Sequence, residues 1–154
     1  YRGPNVFAGY YRRPDLAQNS FTADGFFRTG DFFIVRDERH IGFFDRKKDI
    51  IIRGGFNISA AEVENLVLTH PGVQEVAAVA VPDEIMGEKT CIYVVPKDKA
   101  RLPTLEDIVD HLKQIGVAVY KLPEHIEYLD IIPRNPVGKI LKAQLRQRVH
   151  ASGA

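Results

Sequence analysis

Two apolar runs rich in β-branched residues, residues 76–81 and 91–95, set the fold class of this sequence because each fits a strand inside a sheet. Helix start signals lie before and after the pair. Ser59 followed by Glu62 has the spacing of a capping box, and Thr104 opens a second helix in a similar way. Strands that alternate with capped helices predict a mixed domain in which helices pack on a sheet.

The order of the remaining elements makes this prediction more specific. Residues 50–53 predict a short strand that turns back at Gly54 and Gly55, residues 125–129 a further strand, and residues 140–149 a closing helix. We therefore expect an α+β fold with a short β-hairpin and a three-stranded sheet flanked by helices. The residues expected to face the core from the three helices are Val63, Leu66, Val67, Leu105, Ile108, Val109, Leu112, Ile115, Leu141, Leu145 and Val149.

The first 45 residues differ in character, because they are rich in aromatic residues and glycine. Residues 32–35 and 41–44 predict two short strands around a polar turn, and no long helical periodicity runs through this segment. A β-rich stretch of this size buries too little apolar surface to form its own core. We expect it to be the edge of a larger domain, the rest of which precedes Tyr1.

Composition excludes several classes of function. The 154 residues carry a net charge of +1, which gives no electrostatic reason to expect a nucleic-acid partner. No apolar stretch of about 20 residues predicts a transmembrane segment, and the five histidines lack the spacing of metal ligands. The single cysteine, Cys91, lies in an apolar run, so we expect an inert core residue in a cytoplasmic protein.

Three polar segments are candidates for chemistry. Residues 28–31 are RTGD, residues 46–59 are RKKDIIIRGGFNIS, and residues 133–142 are PRNPVGKILK. Each has an ordinary structural explanation: an aspartate in a turn, a solvated pair of lysines before a hairpin, and an exposed lysine after a β-turn. The three segments in this order are more informative than any one of them alone.

Together these segments resemble the C-terminal part of the acyl-adenylate-forming enzymes, the superfamily of acyl-CoA synthetases, nonribosomal peptide synthetase adenylation domains and firefly luciferase. The resemblance covers nearly the whole chain and is closest to short- and medium-chain acyl-CoA synthetases. It implies that residues 1–45 are the C-terminal remnant of the N-terminal AMP-binding domain, residues 46–49 the hinge, and residues 50–154 the mobile C-terminal domain. The acid pocket would lie in the missing N-terminal domain, so the fragment alone should be inactive.

The resemblance also implies roles for single residues in the activation of a carboxylic acid by ATP. Lys139 would be the catalytic lysine, whose ammonium offsets the repulsion between the acid carboxylate and the α-phosphate. Asp31 would accept hydrogen bonds from the ribose hydroxyls, and Arg46 would be a second ribose contact. Asp45 stands where the family usually has glycine, so an ion pair between Asp45 and Arg46 is a competing use of that arginine.

Three further residues are implied to act in the second step, the transfer of the acyl group to a thiol. Lys48 would be the hinge at which the C-terminal domain rotates between the two steps. Gly54 and Gly55 would line the tunnel for the pantetheine of coenzyme A, since residues without side chains admit a slender group. The parent enzyme would use ATP with Mg²⁺ and coenzyme A as substrates, and this fragment would bind no metal.

The function implied is that of an ATP-dependent carboxylic acid–CoA ligase. It would form an acyl-adenylate with release of pyrophosphate, and then an acyl-CoA thioester with release of AMP, on a short- or medium-chain fatty acid. Two alternatives stay open: an aryl-acid or amino-acid adenylation domain that delivers to a carrier protein, and a noncatalytic α+β interaction domain. The second alternative predicts that Lys139 and Asp31 can be replaced without consequence.

Overall fold

In a computed structural model the chain divides into two units, a first unit of Tyr1–Lys48 and a second unit of Asp49–Ala154. The structure describes the backbone of residues 1–152 and the side chains of residues 1–148. No helix within this described part is both long enough and apolar enough to cross a membrane.

The first unit contains a short helix and one antiparallel hairpin: α1 (Pro14–Ser20), β1 (Asp31–Val35) and β2 (Ile41–Arg46). The two predicted strands are confirmed, whereas α1 was not predicted because seven residues are too few to show helical periodicity. The rings of Phe7, Phe21 and Phe27 pack edge to face or tilted, with centroids 5.1–5.7 Å apart. None of the apolar side chains of this unit is fully buried, which fits the expectation that it lacks a core of its own.

The second unit has the order of elements that the sequence predicts. Its helices and strands are β3 (Ile50–Arg53), β4 (Phe56–Ser59), α2 (Ala60–Val67), β5 (Val73–Asp83), β6 (Gly87–Pro96), α3 (Leu105–Gln114), β7 (His125–Tyr128) and α4 (Lys142–Ser152). Single 3₁₀ turns occupy Lys47–Asp49 and Val119–Lys121.

The strands of the second unit form one sheet in the order β4-β3-β6-β5, with β7 parallel to β6. The long β5–β6 pair is antiparallel from Val73 opposite Pro96 to Asp83 opposite Gly87. The expected hairpin and three-stranded sheet are both present, and the pairing of Arg53 with Gly87 joins them. The predicted α+β class is confirmed.

A hydrophobic core lies on each face of this sheet, because side chains alternate between the faces along β6. Ile92 and Val94 belong to the core beneath α2 and α3, whereas Cys91 and Tyr93 belong to the core beneath α4, together with Leu145. Cys91 is fully buried, and burial raises the pKa of its thiol to about 12. The expectation of a buried core cysteine is therefore confirmed.

Side-chain caps start α2 and α3 at the predicted residues. The Ser59 hydroxyl accepts a hydrogen bond from the Glu62 backbone N–H at 3.1 Å. Thr104 and Asp107 form a complete capping box, in which each side chain accepts from the backbone N–H of the other at 2.9–3.1 Å. These caps fix where the two helices begin and so which of their residues face the sheet.

Most of the predicted core residues of the helices are buried or half-buried, but one prediction was wrong. Ile115 is 49% exposed, because α3 ends at Gln114 and the chain leaves the helix through Gly116, whose φ of +81° is left-handed. The side chain of Val149 lies outside the described residues.

Candidate functional site

Asp31 and Arg46 face each other across the hairpin of the first unit. The Arg46 Nε atom lies 3.9 Å from Asp31 Oδ1, and both side chains are partly exposed. The backbone N–H of Arg46 donates to Asp45 Oδ1 at 2.7 Å. The buried Asp45 carboxylate thus binds the main chain of Arg46, and the guanidinium lies towards Asp31.

A short turn places Asp31 at the start of β1. The backbone N–H of Asp31 donates to the Thr29 hydroxyl at 3.1 Å, and the Gly30 carbonyl accepts from Lys47 N–H at 2.7 Å. An open groove of about 690 Å³ is lined by Thr29, Gly30, Asp31, Arg46, Lys47 and Lys48. It combines a carboxylate, which accepts hydrogen bonds from sugar hydroxyls, with cationic side chains that suit phosphate groups.

Lys48 is the last residue of the first unit; its role as a hinge stays a prediction. The residue after it, Asp49, is almost fully buried in the second unit and accepts a hydrogen bond from Arg146 of α4 at 2.7 Å. The first residue of the second unit is therefore held against α4 by a hydrogen bond.

Gly54 and Gly55 form the two-residue turn between β3 and β4. Their φ angles of +54° and +85° are both left-handed, as in the type I′ turns that join twisted strands. A Cβ atom at Gly54 would lie 2.7 Å from Met86 Cε, whereas a Cβ at Gly55 would meet no atom within 4 Å. The Gly55 side of the turn therefore borders open space.

Lys139 ends a tight loop of residues 135–139, which we call the lysine loop. The Asn135 carbonyl accepts from Gly138 N–H at 2.9 Å and closes a β-turn with Pro136 at its second position. Gly138 then adopts a φ of +84°. Two more hydrogen bonds link Asn135 to the main chain of Lys139, at 2.8 and 2.9 Å. The loop thus fixes the backbone of Lys139 and leaves its side chain exposed.

The two lysines of this segment differ in their surroundings. Within the described part of the chain, no ion pair involves the Lys139 ammonium, whereas Lys142 Nζ lies 2.8 Å from Glu64 Oε1 and is largely buried. The same Glu64 oxygen accepts from the Ala78 backbone N–H at 2.8 Å. Lys142 is therefore structural, and Lys139 is the lysine that an anionic ligand can approach.

Sequence reasoning missed Arg134, which precedes the lysine loop, and Glu64, which contacts Lys142, because each contacts residues far away in the chain. The described side chains include no group of three or more histidine, cysteine, aspartate or glutamate residues that could hold a metal ion.

Comparisons with known proteins show which family this chain belongs to. Residues 62–139, just over half of the chain, match the family model of the AMP-binding enzyme C-terminal domain. The chain is 42% identical over 148 residues to the medium-chain fatty-acid–CoA ligase of Escherichia coli, covering 96% of this chain and 26% of that protein. It is 39% identical to the 2,3-dihydroxybenzoate-AMP ligase of Bacillus subtilis, covering 96% and 27%.

Solved structures agree as well. ATP-bound MatB from Rhodopseudomonas palustris matches with a TM-score of 0.82 and 35% identity, over 96% of this chain and 29% of that chain. The chain thus spans about a quarter of the length of the curated relatives it matches. The resemblance predicted from the sequence is confirmed, and the chain belongs to the family of AMP-binding enzyme C-terminal domains, within the acyl-adenylate-forming enzymes.

Proposed function

We propose that the parent of this chain is an ATP-dependent carboxylic acid–CoA ligase acting on a short- or medium-chain fatty acid. The observation that carries this proposal is Lys139, an exposed lysine on a loop whose backbone is fixed by hydrogen bonds. The identity to a medium-chain fatty-acid–CoA ligase supports the substrate class. We also propose that residues 1–45 are the end of an N-terminal AMP-binding domain, residues 46–49 the hinge, and residues 50–154 the mobile domain.

In the first step, a carboxylate oxygen of the acid attacks the α-phosphorus of ATP. A new C–O–P linkage forms, the bond to the β-phosphate breaks, and pyrophosphate leaves. Both reactants are anionic, so a cation between them lowers the barrier, most strongly where water is excluded. Lys139 supplies a compact ammonium on a long stem, and within the described part of the chain no carboxylate pairs with it.

The nucleotide contacts proposed for this chain are in the first unit. The Asp31 carboxylate accepts hydrogen bonds from the ribose hydroxyls, and Arg46 is the second ribose contact. The open groove that both residues line supports this assignment. The adenine site, the phosphate-binding loop and the acid pocket belong to the missing N-terminal domain, which is the partner of this fragment within one chain.

In the second step, the thiol of coenzyme A loses its proton to solvent and its sulfur attacks the acyl carbon. The C–S bond forms, and AMP leaves with the electrons of the broken C–O bond. We propose that Lys48 is the hinge that exchanges the two arrangements, because it ends the first unit. The open space beside Gly55 supports a path for pantetheine along the turn that Gly54 and Gly55 form.

A second candidate function is aryl-acid adenylation with delivery to a carrier protein, which the identity to a 2,3-dihydroxybenzoate-AMP ligase favours. The test is acid-dependent ATP–pyrophosphate exchange by the full-length parent with octanoate, 2,3-dihydroxybenzoate and malonate, followed by thioester analysis with coenzyme A. Exchange with octanoate and formation of octanoyl-CoA support the proposal. Exchange with the aryl acid and no acyl-CoA support the alternative. No exchange with octanoate, 2,3-dihydroxybenzoate or malonate extends the panel to other short-chain, aryl and amino acids, and no exchange with any of these favours a noncatalytic domain.

Gly55→Leu in the parent is expected to slow thioester formation from supplied acyl-adenylate by at least about 10-fold, with exchange changed less than about twofold. The new side chain would fill the open space beside the turn. Gly116→Leu is the matched control, because Gly116 has a similar φ of +81° and equally open surroundings at the end of α3. Equal slowing in both variants would mean backbone strain rather than a blocked path.

A further inference from the structure

We infer that Arg134 is a positioning residue for Lys139, and that it acts by tying the lysine loop to the central sheet. This inference rests on the proposed role of Lys139 in adenylation. Arg134 Nη1 donates to the Gly138 carbonyl at 2.9 Å, and Arg134 Nη2 donates to Glu75 Oε2 at 2.8 Å. One guanidinium thus joins the loop to a residue of β5.

The contact with Gly138 falls next to the lysine itself. The Gly138 carbonyl belongs to the peptide bond that leads into Lys139, so a shift of this peptide plane moves the point from which the lysine side chain departs. Gly138 is left-handed, with a φ of +84°, and glycine resists such rotation less than other residues. A hydrogen bond to this carbonyl therefore limits rotation of the peptide plane that follows Gly138.

The loop's own hydrogen bonds do not serve this purpose. They join Asn135 to Gly138 and Lys139, so they set the shape of the loop but make no contact with β5. Ile132 and Ile140, on either side of the loop, pack against the core on this face of the sheet, and Arg134 adds a hydrogen-bonded link to β5 itself. Glu75 lies in β5 and its backbone is paired with that of Val95, so its carboxylate extends from a backbone held in the sheet. The guanidinium of Arg134 bonds both Glu75 and the Gly138 carbonyl, so it restrains the position of the loop relative to β5.

An ordinary role in stability would not explain this arrangement. The side chains of Arg134 and Glu75 are 42% and 37% exposed, and exposed ion pairs contribute little to folding. An arginine is suited to the geometry because its planar fork donates in two directions at once, whereas lysine presents a single point charge. Loss of Arg134 should therefore affect catalysis much more than unfolding.

The test uses the full-length parent with the acid that gives the most exchange among octanoate, 2,3-dihydroxybenzoate and malonate. Arg134→Ala is expected to lower the kcat of ATP–pyrophosphate exchange roughly 10- to 100-fold, since small displacements of a catalytic group are costly. Thioester formation from supplied acyl-adenylate should stay within about twofold, because Lys139 acts in the first step. The melting temperature should shift by no more than a few degrees, on the order expected for an exposed ion pair.

Glu75→Ala, Arg134→Lys and Lys113→Ala complete the set. Glu75→Ala removes the hydrogen bond between Arg134 and β5, so it should also lower the kcat of ATP–pyrophosphate exchange. Arg134→Lys should retain only part of the wild-type kcat. Lys113→Ala removes the exposed pair with Asp110 on α3 and should leave exchange unchanged.

If Lys139→Ala abolishes exchange while Arg134→Ala does not, the inference fails and the proposed function stands. If Arg134→Ala slows both steps equally, its role is structural. If Lys139→Ala exchanges normally, the proposed function fails first.

Discussion

Lys139→Ala in the full-length parent is expected to lower acid-dependent ATP–pyrophosphate exchange by at least about 10²-fold, the scale seen when a preorganised charge contact to a transition state is removed. The loss should appear in kcat rather than in the KM for ATP, because the ammonium acts where the carboxylate meets the α-phosphate. Thioester formation from supplied acyl-adenylate should change little. Exchange and thioester formation are measured separately on the same preparation.

Alanine at position 139 should remove the ammonium without changing the backbone of the lysine loop. Every hydrogen bond described for Lys139 involves its main chain, so alanine at this position keeps the loop. Lys113→Ala serves as the control for removal of a surface lysine. Lys139→Arg tests whether charge alone suffices, and we expect little recovery because the guanidinium is larger and planar. Wild-type exchange by Lys139→Ala would refute the catalytic assignment.

Glu64→Ala is expected to lower the free energy of unfolding by about 2 to 4 kcal/mol. Glu64 is largely buried and joins α2 to β5 and α4, because one of its oxygens accepts from both Ala78 N–H and Lys142 Nζ. Its removal leaves a buried peptide N–H and a largely buried ammonium without their acceptor. The measurement is urea denaturation of the 154-residue chain, with the free energy extrapolated to water.

Two further variants separate the contributions within this contact. Glu64→Gln keeps an acceptor for Ala78 N–H and loses the charge opposite Lys142, so it should be less destabilising than alanine. The double variant Glu64→Ala with Lys142→Ala has no unpaired ammonium. Its loss in the free energy of unfolding should therefore be smaller than the sum of the losses in the two single variants. A Glu64→Ala protein within about 0.5 kcal/mol of wild type would contradict this account.

The elements of the second unit were largely predictable because their signals are local. Apolar runs gave β5 and β6, and side-chain caps at Ser59 and Thr104 gave the starts of α2 and α3. The end of α3 was placed too late, since the apolar character of Ile115 continued the helical pattern beyond the last turn. The pairing of β3 with β6 was not predictable from either strand, because it joins residues far apart in the chain.

The candidate site was predictable only where a motif marks it. Lys139 and the glycines of the first β-hairpin of the second unit stand in short segments whose spacing can be recognised. Arg134 stands inside the same segment, yet its use depends on Glu75, a strand residue with no distinguishing pattern. Glu64 is one of many glutamates on helices, and only the fold brings it to Lys142. The supporting contacts of a site are long-range and leave no periodic signal.

The buried cysteine has a practical consequence for studies of movement in this part of the protein. At a pKa of about 12 the Cys91 thiol is almost entirely protonated near neutral pH, and burial keeps maleimide reagents away from it. Since the chain has no other cysteine, a cysteine introduced at the exposed position 137 would be the single site for a fluorescent dye. The fluorescence of that dye would then report changes in the surroundings of the lysine loop when ligands are added to these 154 residues.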